Sequence, residues 1–91
     1  MRRIILDCTQ LVSREKMGPY LKKELGLEDW FTGNLDALND CLSEIHESVD
    51  FVLTHDNVQG ICRSPYAYKV LLIIARNVDA NPYLKIHFHW S

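Results

Sequence analysis

Hydrophobic positions along this chain switch between strand-like and helix-like spacing, and the switches outline the fold. Residues 3–8 form a short apolar run rich in β-branched side chains, which predicts a first strand. From Ser13 onward Met17, Leu21 and Leu25 share one helical face, with Tyr20 beside it and Gly26-Leu27 as a C-terminal stop. Gly18-Pro19 falls inside that segment. Proline is tolerated only in a first turn, so the pattern predicts a helix that starts near Gly18 or one kinked there. Asn34 then makes a good N-cap, and Leu35, Leu38, Leu42 and Ile45 recur behind it at helical spacing.

Residues 49–55 read as a second strand with Phe51-Val52-Leu53 as its buried centre. Residues 56–63, with Gly60, read as a connector containing one helical turn. Ser64-Pro65 pairs an N-cap with a proline at the first helical position, a strong start signal. The helix it opens should run to about residue 78. It is apolar almost all round and therefore largely buried. Asn81-Pro82 ends it. Residues 83–90 alternate, with Leu84, Ile86, Phe88 and Trp90 on one face and Lys85, His87 and His89 on the other. Strands separated by helical crossovers pair in parallel and join right-handedly. The expected fold is thus α/β, a three-stranded parallel sheet packed against three to four helices, in one domain over residues 1–91.

Composition narrows the class. The 91 residues are 47% hydrophobic and 24% charged, as in an ordinary folded domain. The apolar run near the start stops after three residues, too short for a signal-peptide core, which predicts a cytoplasmic protein. Cys8, Cys41 and Cys62 are too widely spaced for a disulfide framework or a zinc pattern and read as reduced thiols.

Charge changes the picture more. Residues 24–62 carry nine acids and no Lys or Arg, while residues 1–23 balance at +4 and residues 63–91 at +3. The net charge of −2 hides a polarised molecule. Asp36, Asp40, Glu44 and Glu47 follow one another at spacings of four, four and three along the second helix. Each uncompensated like-charge pair costs a helix about 0.2–0.5 kcal/mol. A helix selected only for stability would interleave lysines here. Such a surface attracts a basic partner and repels nucleic acid and anionic membrane. The plainer alternative is a solvated face whose Asp36 suits the helix dipole.

Catalytic and cofactor chemistry find little footing. Cys41 and His46, five residues apart on a helix, would point about 140° away from each other, outside hydrogen-bond reach. Cys41 reads instead as a small buried hydrophobe. His87 and His89 share a strand face, with His55 the only other candidate, and they lack the third and fourth ligands of a metal site. Gly18, Gly26, Gly33 and Gly60 are scattered and form no phosphate cradle, so no cofactor is expected. The bases Arg2, Arg3, Lys22 and Lys23 lack the interleaved aromatics of a nucleic-acid site. Trp30-Phe31 in the acidic loop 28–33 remain, with Phe31 expected inward and Trp30 outward as an interface anchor.

Two strings carry a resemblance. Leu21-Lys22-Lys23-Glu24-Leu25-Gly26-Leu27 and Asn34-Leu35-Asp36-Ala37-Leu38-Asn39-Asp40-Cys41-Leu42, with Trp30-Phe31 between them, resemble the barstar family of intracellular ribonuclease inhibitors. The resemblance is dense over residues 21–42 and elsewhere lies in element order. It implies a non-enzymatic protein whose acidic helix and preceding loop plug the active site of a basic, barnase-like ribonuclease. The helix carboxylates would then stand in for substrate phosphate.

Carried over by position, Asp40 would be the main phosphate mimic and Asp36 its neighbour. Trp30 would be a contacting aromatic, and Asn34 and Leu35 contacts at the loop-to-helix junction. Asn39 and Ile45 stand where the family has tryptophans, and Arg76 where it has an acid. The expected partner surface is Trp30, Asn34, Leu35, Asp36, Asn39, Asp40 and Glu44, on a chain that is monomeric when free. The rival reading is an acidic adaptor for some other basic protein surface.

Overall fold

The computed structural model describes residues 2–28 and 31–89. Its centre is strand β2 (Val49–Thr54), paired in parallel with β1 (Arg2–Ile5) on one side and β3 (Leu84–His89) on the other. Residues 49 to 53 are all buried, as expected for the middle of a parallel sheet, whereas the edge strands are mostly exposed. Ile4, Phe51 and Ile86 stand in one row of the register. On that face Phe51 is fully buried within a core that includes Met17, Leu21, Leu38, Leu42, Val70 and Ile74. Truncating such an aromatic to alanine costs about 3–5 kcal/mol. On the opposite face Asp50 lies in register between Arg3 and Lys85, and His87 Nδ1 lies 2.5 Å from its Oδ1.

Helix α1 (Arg14–Leu25) begins at its Ser13 cap, whose Oγ accepts from Lys16 N, and closes on Gly26 in the left-handed region at φ 65°. It does not start late: the helix begins at Arg14 and runs on through Gly18-Pro19. The steric penalty on a residue before proline falls partly on its Cβ, which Gly18 lacks. β1 also ends earlier than the strand expected over residues 3–8. Asp7 Oδ1 accepts from Thr9 N and Thr9 Oγ1, turning the chain into a single 3-10 turn at Cys8–Gln10.

The larger correction concerns residues 55–63. They form a full helix, α3 (His55–Arg63), capped by Thr54 Oγ1 and burying Ile61, where one turn of a connector was expected. Gly60 gives the segment a loop-like sequence, but its missing Cβ makes room for the Cys8 side chain. Helix α4 (Pro65–Ala80) follows, with Ser64 Oγ accepting from Ala67 N. The remaining helix, α2 (Leu35–Ser43), packs against α4 and carries most of the candidate site residues. No helix among the described residues is long and apolar enough to cross a membrane.

Candidate functional site

Helix α2 is built from its cap outward. Asn34 sits at φ −64° and ψ 133°, and its Oδ1 accepts from Asp36 N at 2.8 Å and Ala37 N at 3.3 Å. Its carbonyl takes Leu38 N at 2.9 Å. Leu38, Cys41 and Leu42 are buried against the core, with Leu35 half-buried beside them. That burial forces the opposite side of the helix outward. Asp36 and Asp40, one turn apart, are exposed there.

The expected four-acid stripe is shorter than its spacing suggested. The helix ends at Ser43, so Glu44 is its C-cap and Glu47 lies beyond it. Acids oppose the negative end of a helix dipole, and no basic residue occupies the last turn to offset them. The end is closed locally by Glu44 N on Cys41 O at 3.3 Å and Ile45 N on Leu42 O at 3.4 Å, and from α4's far end Asn81 Nδ2 donates to Leu42 O and to Ile45 O, both at 3.0 Å. Glu47 pairs with Arg2 at 3.8 Å, an exposed contact. Glu44 is exposed at the end of the helix, beside a cleft of about 380 Å³ that Glu28, Cys41 and Ile45 also line.

Electrostatics at that cleft follow from its lining. Burial pushes the Cys41 thiol above its ordinary range, and the carboxylates of Glu44, Asp40 and Glu28 push it further the same way. Cys41 is buried while His46 is exposed and meets the Tyr83 ring edge-on at 6.1 Å, so these two form no nucleophile–base pair.

Asn39 points to the α4 flank, where its Oδ1 accepts from Asn77 Nδ2 at 3.0 Å. Arg76, the residue before Asn77, is exposed. Phe31 is buried at 2% exposure, as expected, with its N–H on Glu28 O at 3.0 Å. Trp30 lies outside the described residues. Asn34, Leu35, Asp36, Asn39, Asp40 and Glu44 are therefore gathered on one helix and its caps. Sequence reasoning missed the residues that hold them: Arg14, Gly18, Tyr66, Asn77 and Asn81. The one signal was Gly18-Pro19, an implausible pair in a helix unless another backbone passes close by.

A three-stranded parallel sheet packed against four helices is the α/β fold expected from the order of strands and helices. The family model described as Barstar (barnase inhibitor) matches residues 1–81. The chain belongs to the barstar family. Comparison with curated proteins returned no match. In this barstar-family chain the matched residues contain β1, α1 to α4 and β2, and they stop just before β3. The family is one of inhibitors rather than enzymes.

Proposed function

We propose that this protein binds and blocks a basic, barnase-like ribonuclease through α2 and the loop before it. What supports the reading is the outward pair Asp36 and Asp40 on a firmly capped helix, within a 39-residue stretch, residues 24–62, that has no Lys or Arg. Asp40 would take the place of a substrate phosphate against arginine and lysine, with Asp36 one turn away. Charge-assisted, bidentate pairing with arginine supplies strength and orientation together. Trp30, Asn34 and Leu35 would pack on the rim of the enzyme's cleft, and Asn39 and Glu44 would extend the contact along the helix. Cys8, Cys41 and Cys62 are free thiols, which suits a reducing compartment such as the cytoplasm.

Titration against a panel of barnase-like ribonucleases tests the proposal. An inhibitor forms a one-to-one complex in which nuclease activity is lost. An adaptor for another basic surface gives neither, and that result would overturn the reading.

A further inference from the structure

The contacts that hold the loop before α2 come from two other helices. On the α1 side Arg14 donates through Nε to Thr32 O at 3.3 Å and through Nη2 to Thr32 Oγ1 at 3.0 Å. On the α4 side the Tyr66 hydroxyl donates to Gly33 O at 2.8 Å. Burial pushes the Tyr66 phenol above its ordinary range. Between these grips the loop backbone lies directly on α1. A Cβ at Gly18 would stand 3.0 Å from the carbonyl carbon and oxygen of Thr32 and 3.1 Å from Gly33 N. Gly33 itself sits at φ +95°, and a Cβ there would lie 2.7 Å from Arg14 O and 3.2 Å from Gly18 Cα. Two glycines therefore let two backbones touch, and the carbonyls on either side of that touch are held from opposite directions. Asn34 is the next residue.

We infer that Arg14, Gly18 and Tyr66 are positioning residues for the docking surface: they fix the Thr32–Gly33 peptide between α1 and α4, and through the Asn34 cap they set the direction in which α2 presents Asp36 and Asp40. The inference rests on the inhibitor reading of that surface. Its physical content is preorganisation. A loop and cap already ordered in the free protein lose less conformational freedom on binding, so more of the contact energy appears as affinity. It also accounts for Gly18 within α1, a residue that weakens a helix and stands here where a second backbone crosses.

Amide exchange in the free protein reads the positioning directly, because Asp36, Ala37 and Leu38 all direct their N–H groups to Asn34. Tyr66→Phe removes one hydroxyl and should speed exchange at these amides about tenfold, with β2 amides changed by less than about twofold. Gly18→Ala, which displaces the loop from the α1 side, should act on the same amides. Tyr66→Phe should also weaken binding to a ribonuclease from the panel about tenfold. Asp36→Ala should then lose less affinity in the Tyr66→Phe background than in the parent, since a misdirected carboxylate has less to lose. Unchanged exchange at the cap, acceleration spread evenly over β2, or losses that simply add would each overturn the inference. If no ribonuclease binds, the inhibitor reading falls, while the exchange pattern still decides whether these residues hold the cap.

Discussion

Asn77 on α4 donates its Nδ2 to Asn39 Oδ1 on α2 at 3.0 Å and to Ile73 O at 2.9 Å. One buried carboxamide thus ties the helix that carries the acids to the helix behind it. The tie lies on the α4 flank of α2, beside the buried Leu38 and Leu42 and away from the exposed Asp36 and Asp40. Asn81 ties down the far end: its Nδ2 donates to Leu42 O in the last turn and to Ile45 O just past it.

Asn77→Ala should destabilise the protein by about 1–3 kcal/mol, because Asn39 is half-buried and would keep an unsatisfied oxygen. Urea denaturation measures the loss. Asn39→Ala combined with Asn77→Ala should cost less than the two single changes summed, as for any directly bonded pair. Strict additivity would mean that the bond contributes nothing.

How much of this was legible in the sequence depends on how local the cause is. Asn34 and Ser64-Pro65 announce their helices because a cap acts within three residues of itself. The parallel sheet follows from strand order, and the inward Phe31 from its chemistry. What escaped depends on distant partners. α3 hides behind Gly60, whose reason is the Cys8 side chain on the other side of the sequence. α1 runs through Pro19, preceded by a glycine whose missing Cβ makes room for the distant Thr32 backbone. The acids at 44 and 47 fall at and past the end of the helix, where a partner 36 to 39 residues away, Asn81, holds Leu42 O and Ile45 O. Of the site, the outward acids could be read from spacing, but the scaffolding from Arg14 and Tyr66 could not.

Alkaline pH should weaken the fold. Burial raises the Cys41 thiol above its ordinary value of 9.0 and the Tyr20 and Tyr66 phenols above 10.0. A group whose folded value is raised contributes stability in full below its unfolded value and loses it as pH rises through the folded one. Urea midpoints should therefore fall above about pH 9, and Cys41→Ala should make that fall shallower. At neutral pH Cys41 should be the slowest thiol to alkylate and exposed Cys62 the faster. Three thiols should titrate after denaturation. A midpoint that climbs with pH, or Cys41 reacting first, would contradict the cleft electrostatics.

Association with a basic ribonuclease should slow steeply with salt. The acids between residues 24 and 62 have no Lys or Arg among them, and exposed charges are screened beyond a Debye length, about 8 Å at physiological ionic strength. Stopped-flow association rates from low to high ionic strength measure this. A rate constant that stays flat would remove electrostatic attraction from the account.

The most direct test compares Asp40→Ala with Glu47→Ala in their affinity for an inhibited ribonuclease. Asp40 is exposed mid-helix with Leu38 and Leu42 anchoring the backbone beneath it, whereas Glu47 lies past the helix end and pairs with Arg2. Removing one partner of a desolvated charge pair costs about 2–5 kcal/mol, a range for which barnase–barstar is itself the reference case. Asp40→Ala should weaken binding at least about tenfold more than Glu47→Ala. Its stability should stay equal or rise slightly, since repulsion from Asp36 and Glu44 is relieved. The opposite result, an Asp40→Ala protein that unfolds more readily yet binds as tightly as the parent, would make the acids structural and contradict the inhibitor account.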